Sequence, residues 1–199
     1  DEAGGLPDGV VNLVNGSVDV VNGLLDHPGV DAISFVGSAK VARYIYERAA
    51  ANGKRVQALG GAKNFMVVMP DAVMPKTVSN IIGSAFGAAG QRCMAGSVVV
   101  AVGDAKRPLL DELVARTEEL SVGDGLEQGT DVGPVVSCAA RDRIVEWIER
   151  GIDGGATLAV DGRRPDANPD GAFVGPTILD GVTPDMDVAR EEIFGPVLS

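Results

Sequence analysis

A single thiol, Cys93, stands in the stretch GAAGQRCMAG (residues 87–96), where most neighbouring side chains are small. A thiol acts as a nucleophile when it is accessible and partly ionised, and small neighbours provide access. Arg92, directly before it, is a permanent cation that could favour the thiolate or instead face a substrate carboxylate. The stretch therefore predicts a nucleophilic cysteine, and a buried structural cysteine in a tight turn is the open alternative.

The other thiol and the one histidine offer little chemistry. Cys138 lies at a predicted helix start without such surroundings and is interpreted as structural, and His27 in DHPGV as a surface turn residue. Neither the cysteine spacing nor His27 forms a metal-ligand pattern, so no metal is expected. A disulfide scaffold is equally unexpected, which favours a reducing cytoplasm.

A second candidate site is the FVGS turn between a predicted strand and a predicted helix. Gly37 would let a ligand approach the backbone, and Ser38 could add a hydroxyl at the helix start. Unpaired N–H groups and the helix dipole suit a phosphate there. An ordinary turn with a serine cap explains the same pattern. The paired Glu191 and Glu192 in REEIFGPV, taken alone, indicate only a solvated edge.

The elements that must position these residues alternate between strands and helices. Strands are predicted at 9–16, 31–36 and 64–70, the last two as buried strands, and helices at 17–26, 38–53 and 76–90. In the helix over 38–53, Ser38 is the N-cap, Val41, Ile45 and Ala49 share one face, and Asn52-Gly53 end it. This alternation predicts an α/β fold.

Composition limits the partners. The 199 residues are 45% hydrophobic and 23% charged, an ordinary globular balance, with a net charge of −11. An acidic chain argues against nucleic acid and against an anionic membrane surface. The chain starts without methionine and stops within an apolar segment, so we expect a piece of a longer protein.

Four motifs in order, FVGS, ALGG, GQRCMA and EEIFGPV, resemble the aldehyde dehydrogenase superfamily. The likeness spans essentially the whole chain. GKRVQALGGAKN, VVMPDA, FGAAGQRCMA and FVGPTI are more narrowly similar to the CoA-acylating branch, the methylmalonate-semialdehyde dehydrogenases. The resemblance implies part of an aldehyde dehydrogenase fold, with residues 1–57 ending a Rossmann-like NAD-binding domain and 58–199 beginning the α/β catalytic domain.

The resemblance also implies a cofactor, NAD, and the residues that bind it. Ser38, after Gly37, matches a residue near the pyrophosphate, and Gly60 lies where the family's backbone approaches the nicotinamide. Glu192 matches the glutamate that binds the nicotinamide ribose, and Phe194 packs close by.

For catalysis, the resemblance makes Cys93 the nucleophile that attacks the aldehyde and Arg92 the residue that binds the carboxylate of a semialdehyde. Hydrolytic members carry glutamate where this chain has Ala58, which cannot activate water. The absence of this glutamate favours coenzyme A as the acyl acceptor. The implied products are propionyl-CoA from methylmalonate semialdehyde or acetyl-CoA from malonate semialdehyde, with loss of CO2.

Several expectations complete this interpretation. The resemblance implies a homo-oligomer (a tetramer) at full length, a place in valine or inositol catabolism, and a cytoplasmic location, or a mitochondrial one in a eukaryote. Phe65 departs from the branch, which usually has histidine there. The alternatives are a hydrolytic NAD(P)-dependent aldehyde dehydrogenase, or a fragment that binds a nucleotide or a partner without catalysis. These residues by themselves are expected to be inactive.

Overall fold

The computed structural model describes residue 5 and residues 7–199. The fold is mixed α/β, as predicted, and it divides into two compact units, Asp1–Gly61 and Ala62–Ser199. Residues 1–4 and 6 of the predicted NAD-binding domain lie outside the described residues. The predicted boundary after residue 57 falls inside a strand, and as an assignment to NAD-binding and catalytic domains it stays a prediction.

The first unit is a strand–helix–strand motif preceded by a helix. Its elements are α1 (Val18–Asp26), β1 (Ala32–Gly37), α2 (Ala39–Ala51) and β2 (Arg55–Gly60). The two strands are parallel, so their carboxyl ends, Gly37 and Gly60, are register partners at one edge. Leu25, Ile45 and Ala49 form the core between the helices and the strands.

The helix predicted over 38–53 is confirmed, but its buried face differs from the predicted one at one residue. Ser38 caps α2, since its Oγ accepts from the Val41 N–H at 3.4 Å, and Asn52 with the left-handed Gly53 ends it. The buried residues are Ala42, Ile45 and Ala49, whereas Val41 is 42% exposed. The predicted face was wrong at Val41 because the next residue, Ala42, is the one whose Cβ faces Gly60 of β2.

The second unit carries the longer run of elements. They are β3 (Asn64–Val68), α3 (Met74–Phe86), β4 (Gly96–Ala101), α4 (Lys106–Glu118), α5 (Cys138–Asp153), β5 (Thr157–Val160), β6 (Thr177–Asp180), α6 (Asp187–Arg190) and β7 (Val197–Leu198). Strands β3 and β4 are parallel, β7 and β6 are parallel, and β6 and β5 are antiparallel. The chain after β7 joins β4, because Ser199 N donates to Ser97 O at 3.0 Å and Val99 N donates to Ser199 O at 2.7 Å.

Three strand predictions were wrong in detail. Residues 9–16 form no strand, and Val11 there is 74% exposed, because a strand needs a neighbour to pair its backbone and nothing pairs with this stretch within the described unit. In the two strands predicted as buried, only one face is covered, and most side chains on that face are half-buried. Val36 in β1 is 67% exposed and Val67 in β3 is 63% exposed. An apolar run cannot show from its sequence whether its second face is covered.

The core of the second unit lies between its helices and its strands. Its fully buried side chains include Phe86 of α3, Ile144 and Ile148 of α5, and Leu198 of β7. This core fixes the end of α3 and the start of β7. The candidate site residues Cys93 and Glu192 lie in the segments next to these two places. Within the described residues, no helix is both long and apolar enough to cross a membrane.

Candidate active site

The thiol loop, residues 87–95, connects the end of α3 to β4. A tight turn at Gly87–Gly90 leads to Cys93, whose side chain is exposed. The alternative of a buried structural cysteine is therefore wrong. Ala88, Ala89 and Gly90 all have left-handed φ angles of 53°, 52° and 66°. Two alanines in this region store backbone strain, which persists only where surrounding structure holds it.

That strain is held by the segment before β7. A Cβ atom on Gly90 would lie 2.2 Å from the carbonyl oxygen of Gly195, so only glycine allows the two backbones to approach this closely. The Gln91 side chain donates from Nε2 to Phe194 O at 3.4 Å and accepts at Oε1 from Val136 N at 2.9 Å. The thiol loop and the segment 191–195 therefore form one packed structure.

Arg92 lies across the C-terminal end of α3. Its Nη2 donates to the carbonyls of Gly83 at 2.5 Å and Ser84 at 2.8 Å. A cation is favourable there, because the last carbonyls of a helix have no partner within it and carry partial negative charge. Its other guanidinium nitrogens donate to no protein group within the described part of the chain. Arg92 is exposed, so these nitrogens are available to a carboxylate.

Glu192 and Phe194, predicted for the cofactor, lie near Arg92. Glu192 is half-buried, and Phe194 is exposed with a left-handed φ of 54°. A crevice of about 20 Å³ is lined by Arg92, Glu192 and Phe194, together with Asn64 and Ser97. The structure thus brings Arg92, which directly precedes Cys93, together with Glu192 and Phe194, which lie 100 and 102 residues further along the chain.

Sequence reasoning missed Lys63 and Asn64. Lys63 Nζ donates to Glu191 O at 2.9 Å, and Asn64 Nδ2 donates to Cys93 O and Ala95 O, both at 2.9 Å. Burial lowers the pKa of Lys63 to about 8, although the attraction of Glu192 and Glu191 opposes that shift. The sequence does show two polar residues, Lys63 and Asn64, at the start of a strand rich in apolar residues. It does not show which backbone carbonyls their side chains would contact.

The first unit holds the other predicted cofactor residues. Gly37, Ser38 and Gly60 lie together where β1 and β2 end and α2 begins. A Cβ on Gly60 would lie 2.8 Å from Ala42 Cβ and 3.0 Å from Ala39 N, so α2 packs directly on this glycine. Ala58 is half-buried in β2 and adds no ionisable group there.

The start of α2 fits a cofactor phosphate. Its first turn contains no acidic residue, and Lys40 lies within it. A diphosphate would therefore meet backbone N–H groups and a positive dipole without a repelling carboxylate. These residues suit the pyrophosphate of NAD.

The remaining candidates from the sequence are Cys138 and His27. Cys138 is also exposed, as the first residue of α5, so exposure alone does not distinguish the two thiols. His27 is an exposed turn residue, as predicted, and its Nδ1 accepts from Gly29 N at 3.0 Å. Among the described residues, no cluster of three histidine, cysteine or acidic side chains could hold a metal ion.

Another cavity of the second unit does not include the predicted site. It is an apolar cleft of about 490 Å³ between β4, α4 and the end of β6. Phe65, which replaces the branch's usual histidine, is 56% exposed and lines this cleft. The ion pair between Lys106 and Asp180, at 3.1 Å, is also part of its lining. The position of Phe65 therefore suits an apolar contact rather than a polar role.

The chain is similar in sequence to proteins named malonate-semialdehyde dehydrogenase. It is 57% identical to malonate-semialdehyde dehydrogenase 2 of Geobacillus kaustophilus over 98% of this chain and 40% of that protein. It is 51% identical to malonate-semialdehyde dehydrogenase of Halalkalibacterium halodurans with the same two coverages. The chain therefore spans about 40% of the length of the curated relatives it matches.

Solved structures agree with the sequence relatives. The methylmalonate-semialdehyde dehydrogenase of Oceanimonas doudoroffii superposes with a TM-score of 0.93 at 50% identity, over 98% of this chain and 40% of that one. A second structure, solved with NAD, is a protein of Sinorhizobium meliloti 1021 described as a methylmalonate-semialdehyde dehydrogenase. It superposes with a TM-score of 0.93 at 48% identity, over 98% of this chain and 40% of that one. A sequence profile of the aldehyde dehydrogenase family matches residues 1–199. On this agreement of sequence and fold, the chain belongs to the aldehyde dehydrogenase family.

Proposed function

We propose that the protein containing this chain oxidises malonate or methylmalonate semialdehyde with NAD and transfers the acyl group from Cys93 to coenzyme A. The observation that carries the proposal is the exposed thiol of Cys93 on a strained loop. Arg92, the residue before Cys93 in this loop, has guanidinium nitrogens available to bind a carboxylate. Relatives named for the same semialdehydes support the substrate class.

In the proposed reaction, the Cys93 thiolate attacks the aldehyde carbon to give a thiohemiacetal. Bound NAD would supply the acceptor for the hydride of that carbon, and loss of the hydride from the thiohemiacetal oxyanion would leave a thioester on Cys93. The thiol of coenzyme A then attacks the thioester and releases Cys93. The carboxylate is beta to the acyl carbonyl, so its C–C bond can break with the electron pair held as an enolate, which releases CO2 and then takes a proton.

Arg92 orients the substrate in this proposal. Two bonds from Nη2 to Gly83 and Ser84 fix the guanidinium, while the other nitrogens can donate to the carboxylate of the semialdehyde. A fixed cation one residue before the nucleophile would hold the aldehyde end toward Cys93, and such orientation lowers the barrier to attack.

Coenzyme A is proposed as the acceptor because of Ala58. A methyl side chain cannot take a proton from water, so hydrolysis of the thioester should be slow. A thiol is a better nucleophile and needs less assistance. For the cofactor, we assign the start of α2 with Gly37 and Ser38 to the pyrophosphate, Gly60 to the nicotinamide, and Glu192 with Phe194 to its ribose.

The test uses the full-length protein, meaning a chain as long as its relatives that carries these residues. NADH formation from malonate semialdehyde is followed with and without coenzyme A. Dependence on coenzyme A supports the proposal, and equal turnover without it would assign the protein to hydrolytic dehydrogenases. Cys93→Ser should abolish NADH formation, while Cys138→Ser is the matched control and should retain it. If Cys138 reacted with iodoacetamide while Cys93 resisted, Cys93 would not be the nucleophile.

We also propose that this full-length protein is a homo-oligomer, a tetramer, and works in the cytoplasm, or in the mitochondrion of a eukaryote. Both statements depend on the family resemblance alone. Sedimentation and cell fractionation test them.

A further inference from the structure

Two adjacent side chains at the start of β3 each hold a different functional segment. Lys63 Nζ donates to the backbone carbonyl of Glu191 at 2.9 Å. Asn64 Nδ2 donates to the backbone carbonyls of Cys93 and Ala95, each at 2.9 Å. Both side chains are half-buried, so these bonds are partly protected from water.

The Asn64 amide fixes the thiol loop on both sides of Met94. Its –NH2 group has two donors, and both carbonyls it meets belong to the backbone around Cys93. The backbone of Asn64 is itself fixed, because this residue pairs with Gly96 in the parallel ladder and its carbonyl accepts from Ser97 Oγ at 3.4 Å. The loop is therefore tied to the sheet at the residue that carries the thiol.

The Lys63 ammonium fixes the segment that carries Glu192. Its partner carbonyl lies 128 residues further along the chain. The carboxylates of Glu192 and Glu191 attract the same ammonium, so charge reinforces the hydrogen bond. A charge-assisted bond to a backbone carbonyl restrains the position of the peptide itself, and with it the direction of the Glu192 side chain.

We propose that Lys63 and Asn64 are positioning residues for the dehydrogenase reaction, Lys63 for the cofactor-binding segment at Glu192 and Asn64 for the Cys93 loop. This inference rests on the proposed function of Glu192 and Cys93. Because the two residues are adjacent on a rigid strand, they fix both segments to a common point. Neither residue touches the reacting atoms in this account.

The test measures two properties of the full-length protein that need no aldehyde. One is the dissociation constant of NAD, and the other is the rate of Cys93 alkylation by iodoacetamide in a Cys138→Ser background. Lys63→Met should weaken NAD binding about tenfold, as expected for one lost charge-assisted bond, and leave alkylation within about threefold. Lys63→Arg, which keeps charge and donors, should restore most of the NAD affinity.

Asn64→Ala should have the opposite pattern. The freed loop should change the alkylation rate of Cys93 by about tenfold and lower kcat, while NAD binding stays within about threefold. Asn64→Asp, which keeps the shape but loses both donors, should behave like Asn64→Ala. Lys76→Met and Asn80→Ala, at exposed positions of α3, are matched controls and should change neither property.

Separate responses of the two properties are the expected result. If either variant changed both properties equally, the residues would act only on stability, and the proposal would be overturned. Unchanged NAD binding in Lys63→Met or unchanged alkylation in Asn64→Ala would overturn it as well. Where Lys63→Met does not fold, Lys63→Gln is measured with the same expectation. Failure of the proposed function is a different result, since it appears as no NADH from semialdehydes in the unaltered protein.

Discussion

The backbone of Gly90 lies directly against the carbonyl of Gly195, at a distance that leaves no room for a Cβ atom. Gly90 belongs to the thiol loop, and Gly195 follows Glu192 and Phe194. This contact joins the segment proposed to attack the aldehyde and the segment proposed to bind the cofactor. A change at this contact should therefore affect both.

Gly90→Ala should be severely destabilising. The new methyl group would lie 2.2 Å from Gly195 O, and the φ of 66° is unfavourable for alanine. We expect a loss of more than about 2 kcal/mol in the free energy of unfolding, seen as a lower midpoint of thermal unfolding. Gly83→Ala is the control, because a Cβ there meets nothing within 4 Å and α3 should gain up to about 1 kcal/mol. Equal midpoints for the two variants would contradict the close contact.

Gly87→Ala should act on substrate binding through Arg92. A Cβ at this position would lie 2.9 Å from Nη2 and 3.3 Å from Cζ of Arg92, so the guanidinium must move. We expect KM for malonate semialdehyde to rise by roughly fivefold to tenfold, because a carboxylate–guanidinium pair depends on geometry. KM for propanal, which has no carboxylate, should not change. An equal rise for both aldehydes would argue against Arg92 as the carboxylate ligand.

Ser38→Asp should weaken NAD binding without loosening α2. Aspartate caps a helix as well as serine does, but its charge would repel a pyrophosphate at the same N-terminus. The dissociation constant of NAD should rise by about tenfold or more, while the midpoint of thermal unfolding stays close to the original. Ser38→Asn, a neutral cap, is the control and should bind NAD nearly normally. Normal binding by Ser38→Asp would remove Ser38 from the cofactor site.

Ala58→Glu should allow hydrolysis. The added carboxylate would supply a base for water, so NADH formation from malonate semialdehyde without coenzyme A should rise by about tenfold or more. Ala58→Gln has nearly the same size without the base and should remain dependent on coenzyme A. If Ala58→Glu stayed strictly dependent on coenzyme A, the absence of a base would not explain the choice of acceptor.

Lys63 should make stability depend on pH in the alkaline range. Its folded pKa of about 8 lies below the usual lysine pKa of 10.5, so between these values the unfolded state binds more protons and stability rises with pH. The midpoint of thermal unfolding of the unaltered protein, relative to Lys63→Met, should therefore increase from about pH 8 to about pH 10.5. Below pH 8 the difference should be constant. Lys63→Arg stays charged in both states and should show no such increase relative to Lys63→Met.

Local patterns were sufficient for many elements. The α2 helix was predicted with its cap and its end, because Ser38 and Asn52-Gly53 act on the backbone within a few residues. The α/β class followed from alternating strands and helices. The buried faces were less predictable. Val41, Val36 and Val67 are apolar yet exposed, since burial depends on what packs against an element rather than on its own residues.

The sequence by itself determined which side chains can do chemistry: a thiol at Cys93, a permanent cation at Arg92, a methyl group at Ala58 and a carboxylate at Glu192. Only the tertiary structure decided where those groups are held. Arg92 is fixed by the end of α3, and Lys63 and Asn64 hold backbone carbonyls 128 and 29 residues away. The physical reason is that side-chain type is a local property, whereas a hydrogen bond to a distant carbonyl exists only after the core has brought the two segments together.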